Sequence, residues 1–136
     1  MTAQTTFQVL SAPDFIKVRR TGEPDLEEAK KAIVQLAMII ERPADYDILI
    51  DCRAAQSRLT YSDIYQIVLE LCRHRDAFRN KIAILTRADC QFDKANFLEE
   101  FANARGFNVA AFTEYEQAIE WLSESFDLSI DDSDLD

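Results

Sequence analysis

Six polar residues hold most of the chemistry this sequence can offer. Asp51, Arg53 and Arg58 follow one short apolar run, and Thr86, Arg87 and Asp89 follow the next. Three arginines near one rim can hold a carboxylate or an acidic peptide, because a guanidinium fork meets a carboxylate through two parallel hydrogen bonds. The plainer expectation is that Arg53 and Arg87 simply pair with Asp51 and Asp89, an exposed arrangement of little energetic weight. Either way, the six would sit beyond the carboxyl ends of parallel strands, where ligands of open α/β sheets gather.

Catalytic chemistry is poorly supplied elsewhere. The spacing of Asp51 and Thr86 resembles that of response-regulator receiver domains, with Asp51 in the phosphoacceptor place. Such phosphotransfer also needs an acidic pair at an earlier strand end to hold magnesium, and a lysine at a later one. Here the earlier strand ends in Arg19-Arg20 and the last in Phe112-Thr113-Glu114, so the metal has no cage. His74 is the single histidine and lies between Arg73 and Arg75, where a helix C-terminus favours positive charge. Cys52 stands between Asp51 and Arg53, a setting that can lower a thiol pKa, but no histidine base is near it in sequence. Gly22 and Gly106 are the only glycines, too few for a P-loop or a dinucleotide fingerprint. No catalytic residue, metal or cofactor is expected.

The elements that must position the rim follow from hydrophobic periodicity. Phe7 to Leu10 and Phe15 to Arg19 read as a hairpin around the turn chemistry of Ser11-Ala12-Pro13-Asp14. Leu26, Ala29, Ile33, Leu36, Ala37 and Ile40 share one face of a helix that opens near Pro24 and ends before Pro43. Ile48-Leu49-Ile50 and Ile82-Ala83-Ile84-Leu85 are wholly apolar, as strands covered on both faces should be. Between them a helix starts at a capping box of Thr60 and Asp63. A third helix covers about residues 91–105 with Gly106 as its C-cap, and Val109 to Phe112 is the last strand. Thr113 and Glu116 read as a second capping box, opening a fourth helix through Tyr115, Ala118, Ile119 and Leu122. The order is β-β-α-β-α-β-α-β-α. It implies an α/β domain in which an antiparallel hairpin feeds three further parallel strands, with four helices.

The chain has 136 residues and a net charge of −10, which suits one domain over residues 1–126. Residues 127–136 hold five of the aspartates and no base, and are expected to be a disordered acidic tail. An acidic domain repels polyphosphate, so nucleic acid is not an expected partner. No apolar stretch approaches the length of a bilayer span, and the start of the chain lacks the basic and apolar regions of a secretory signal. Cys52, Cys72 and Cys90 are widely spaced with no CxxC pair, which suits a reducing compartment. A cytoplasmic location is the expectation.

Four segments in this order carry a family resemblance: FIKVRRTGEPDLEEAKKAI, DYDILIDCRAA, KIAILT and GFNVAAFTEYEQAIEWL, together spanning residues 15–122. They resemble the STAS superfamily (sulfate transporter and anti-sigma-factor antagonist domains), in its SpoIIAA-like branch. The resemblance implies a non-catalytic regulatory or protein-interaction domain whose partner is another protein. Homo-oligomers are left open. The anti-sigma antagonists carry a phosphorylatable serine in an Asp-Ser-Ser-Gly-type turn before the second helix. Residues 57–63 here read Ser-Arg-Leu-Thr-Tyr-Ser-Asp, without that turn. Thr60 lies nearest the phosphoacceptor place, its N-cap role is sufficient explanation, and no phosphorylation is expected. The alternative function is a carrier enclosing a small apolar or lipid-like ligand between helices and sheet. Phe92, Phe97, Phe101 and Phe107 would make the region around the third helix aromatic enough for one.

Overall fold

The computed structural model describes residues 6–11, 15–39 and 47–134, with side chains described over 15–39 and 47–124. The elements are β1 (Thr6–Ser11), β2 (Phe15–Gly22), α1 (Leu26–Ile39), β3 (Asp47–Ala55), α2 (Tyr61–Arg73), β4 (Lys81–Leu85), α3 (Cys90–Asn103), β5 (Asn108–Phe112) and α4 (Tyr115–Asp134). A 3-10 turn, Arg75–Phe78, follows α2. The expected turn residues Ala12, Pro13 and Asp14, and the expected end of α1 at Pro43, lie outside the described residues.

The five strands lie in sequence order, β1-β2-β3-β4-β5. β1 pairs antiparallel with β2, and β2 through β5 are mutually parallel, with Ile48 opposite Ile82 and Ile82 opposite Val109. Because successive parallel strands are neighbours stepping one way, right-handed crossovers put every connecting helix on the same face. That is the arrangement seen. Leu36 of α1, Val68 and Leu71 of α2, and Ala95 and Ala102 of α3 join Ile16, Val18, Ile48, Ile82, Ile84 and Val109 in one core. Only α4, which follows the last strand, is left to cover the other face. It seats Ala118 and Leu122 on Leu49, Ala83 and Leu85. Leu49 and Leu85 are wholly buried there, each contributing on the order of 1.5–3 kcal/mol.

Local signals account for most boundaries. Thr60 Oγ1 accepts from Asp63 N at 3.1 Å while Asp63 Oδ2 accepts from Thr60 N at 3.0 Å, closing the capping box that opens α2. Asp25 and Glu28 form the same reciprocal pair before α1. At the end of α3, Gly106 takes a φ of +95°, and Phe107 N donates to Ala102 O at 3.2 Å, a glycine stop that other residues adopt only under strain. α4 differs from expectation at both ends. It begins at Tyr115, one residue too late for a Thr113–Glu116 box, and its first turn closes from Ala118 N to Glu114 O instead. Its backbone continues past the domain boundary expected at residue 126 and through the acidic segment to Asp134. In the sequence, Leu122, Phe126 and Ile130 recur at the fourth-residue spacing of a helix.

Candidate functional site

β3 runs well beyond its apolar run because β2 continues beside it. Arg19 lies opposite Asp51, but Thr21 lies opposite Ala54, so β3 carries an extra residue at this point. Such a bulge turns side chains away from the regular alternation. Asp51 is the last residue in regular register before it, and Arg53 lies within it. Arg53 Nε donates to Asp51 Oδ1 at 3.0 Å, Arg53 Nη2 to Oδ2 at 2.9 Å, and Arg53 N to Oδ1 at 3.1 Å. Burial alone would raise the Asp51 carboxyl; the Arg53 hydrogen bonds and charge, with Lys17 helping, hold it below the ordinary carboxylate range. Hydrogen bonding to Asp51 raises Arg53 in turn. The Arg53 guanidinium and the Lys17 ammonium both lie near the Tyr115 ring, at 5.8 and 5.1 Å from its centroid.

The other rim residues are also committed. Arg58 Nε pairs with Glu23 at 2.8 Å and Arg87 Nε with Asp89 at 3.3 Å. Asp89 further caps α3 by accepting from Gln91 N at 2.9 Å. Thr86 is buried, donating its hydroxyl to Arg87 O. The three arginines therefore sit in three separate ion pairs rather than converging on one vacant anion site. His74 pairs with the buried Glu70 at 3.1 Å at the end of α2. Among the described residues, no group of three or more histidine, cysteine or acidic side chains could hold a metal. Burial pushes the Cys52 thiol up to about 11, so at neutral pH it is not a thiolate.

Two features lie outside the candidate residues read from the sequence, although the carrier alternative had looked between helices and sheet. The first is a hollow of about 160 Å³ between the sheet and α1, α2 and α3, lined mainly by aliphatic side chains such as Ala32, Ile33, Leu36, Ile50 and Leu71. A second lobe of about 110 Å³ adjoins it, with Arg20, Cys52 and Leu98 among the residues lining both. None of Phe92, Phe97, Phe101 and Phe107 lines either lobe, so the aromatic enclosure expected from them does not form; the ring that reaches the hollow is Phe78. Arg20 lines both lobes, and its Nε is buried without a hydrogen-bond partner. A signal for this was present: Arg20 shares the parity of Ile16 and Val18, the core face of β2.

The second feature is an aromatic strip where α2 and α3 lie side by side, running from the half-buried Phe97 and Phe101 out to the exposed Tyr61 and Tyr65. Tyr61 meets Phe97 edge-on at 5.0 Å between ring centroids, Phe97 stacks with Phe101 at 5.7 Å, and Tyr65 lies 4.7 Å from Phe101. The Arg105 guanidinium covers Phe101 at 4.1 Å. Tyr61 and Tyr65 remain 50% and 39% exposed, among the exposed large hydrophobic residues described.

No family model matches the chain, and no curated protein is significantly similar to it in sequence. Solved structures are similar in fold. A DUF3478-family protein of SpoIIAA-like fold from Shewanella loihica PV-4 matches with a TM-score of 0.60 at 16% identity, over 90% of this chain and 95% of that one. An anti-sigma factor antagonist from Mycobacterium paratuberculosis matches with a TM-score of 0.58 at 14% identity, over 88% and 94%. The anti-sigma factor antagonist SpoIIAA in its unphosphorylated form matches with a TM-score of 0.58 at 16% identity, over 88% and 97%. With its hairpin edge, parallel sheet and four helices in this order, the chain has a SpoIIAA-like α/β fold.

Proposed function

We propose that this chain is a non-catalytic regulatory domain that binds another protein through the aromatic strip where α2 and α3 lie side by side. The carrying observation is the strip of Tyr61, Tyr65, Phe97 and Phe101 with Arg105 laid over it. Tyrosine and arginine are the residues on which interface energy concentrates, since each combines large contact area with a polar tip. Two of these rings stay exposed although the inner faces of the same helices, through Val68, Leu71, Ala95 and Ala102, are buried against the sheet. The solved anti-sigma factor antagonists of the same fold support a regulatory reading. At the strand ends, Asp51, Arg53, Arg58, Thr86, Arg87 and Asp89 act in this reading as braces, each held by a partner within the chain.

The test is capture of a partner from the source cell by the intact chain, compared with two double variants. Tyr61→Ala with Tyr65→Ala should lose the partner, and Arg58→Glu with Arg87→Glu should keep it. The reverse pattern would move the interface to the rim. Arg53 is left out because its loss strands the buried Asp51 carboxylate and would confuse folding with binding.

A further inference from the structure

We propose that the hollow beneath α1 and α2 binds one small apolar carboxylate, its anionic head on Arg20 and its body in the aliphatic lobe. This site is separate from the outward aromatic strip and does not depend on it.

Size comes first. An apolar cavity of about 150 Å³ stays dry and accepts a benzene-sized guest. The inner lobe, at about 160 Å³, therefore suits a single ring or an alkyl chain of about six to eight carbons. Sites for larger ligands run to about 300–1,000 Å³, so a two-chain lipid does not fit. The fold accounts for the space: α1 and α2 pack on each other and α3 packs along β5 and α2, leaving a gap where α1 and α2 face β2 and β3.

Charge decides the head group. Along the inner lobe the walls are Ala32, Ile33, Leu36, Ile48 and Leu71, which offer a ligand no side-chain hydrogen bond. At the outer lobe the neutral polar side chains each already make a hydrogen bond within the chain. Ser57 Oγ accepts from Leu59 N, Gln91 Nε2 donates to Ser57 O, and Thr86 Oγ1 donates to Arg87 O. That leaves Arg20, whose Nε is buried and unpartnered, and Lys94, which lines the same lobe. Glu28 acts on Arg20 electrostatically, but its carboxylate is engaged with Asp25 N in the α1 capping box. Cys52 beside Arg20 is a neutral thiol. A buried guanidinium nitrogen without an acceptor is costly, and a carboxylate supplies both the acceptor and the opposite charge. One polar end and one apolar end then meet a cavity divided the same way.

Octanoate and phenylacetate are the probes, with 1-octanol and palmitate as controls, titrated into the intact chain by calorimetry. Octanoate should bind at least tenfold more tightly than 1-octanol, and palmitate should not bind. Arg20→Met, which keeps the volume and removes the charge, should bring octanoate down to the level of octanol. Ala32→Leu, which fills the inner lobe, should abolish binding of both. No binding of either acid, or equal affinity for octanoate and octanol in the unaltered chain, would overturn the proposal without recourse to any variant. Palmitate binding more tightly than octanoate would replace it with a lipid site.

Discussion

Arg53 reaches back two residues along its own strand and closes on both oxygens of Asp51, at 3.0 and 2.9 Å. Residues two apart on a strand share a face, so the two side chains are neighbours, and the register of β3 against β2 shifts just beyond Asp51. The pair is asymmetric: the Asp51 side chain is 6% exposed and that of Arg53 44%. Asp51 thus depends on Arg53 far more than the reverse.

Asp51→Asn should destabilise the fold by about 1.5–3 kcal/mol at pH 7, the range for hydrogen bonds to a charged group. Asp51 is depressed in the folded state, so its contribution is full above the unfolded value of about 3.9 and is lost as pH falls through the lower folded value. The gap between wild type and Asp51→Asn should therefore be widest near neutrality and close below about pH 4. Asp47 behaves oppositely. Burial raises it against the pull of Lys81, so its contribution is present below the unfolded value and lost as pH rises through the folded one. Asp47→Asn should gain stability relative to wild type between acid and neutral pH. Urea midpoints across pH 3–7, expected to diverge in opposite directions for the two variants, check both signs; a parallel response would refute the assignment.

Thr60 is held by its cap. Thr60→Ala should cost about 1 kcal/mol, and Thr60→Asp close to nothing, because aspartate caps as well and its charge suits a helix N-terminus. Thermal unfolding should show a fall of about 3–5 °C for alanine and little change for aspartate. An alanine variant as stable as wild type would mean that the capping box contributes nothing.

Removal of residues 127–136 should leave the melting temperature within about 2 °C of the full chain. Among the described side chains the buried anchors of α4 are Ala118 and Leu122, which this deletion spares. It also removes carboxylates from a helix C-terminus, where negative charge is unfavourable. A fall of several degrees would show the segment docked on the domain.

Much of the architecture was legible because it depends on local rules. The apolar runs at Ile48–Ile50 and Ile82–Leu85, the Thr60–Asp63 box and the Gly106 stop each act within a few residues, and together they dictate element order and the parallel crossovers. The ion pairs Arg53–Asp51 and Arg87–Asp89 both form, but only the second is the exposed arrangement expected, because Asp51 is buried. The start of α4 was misjudged because a Thr-x-x-Glu spacing is weak beside the backbone geometry that leaves β5.

By itself, then, the sequence determined the order, type and inward faces of the elements, since periodicity and capping are short-range properties of the chain. Only the tertiary structure decided what those faces enclose. Arg20 is one base among three at the end of a strand segment, Lys17, Arg19 and Arg20, until β2 meets the bulged β3 and α1 stands away from both. Tyr61, Tyr65, Phe97 and Phe101 are ordinary helix aromatics until α2 and α3 lie side by side and leave two of the rings in water. Whether a side chain is a wall, a brace or a contact depends on groups tens of residues away. No local pattern encodes that distance.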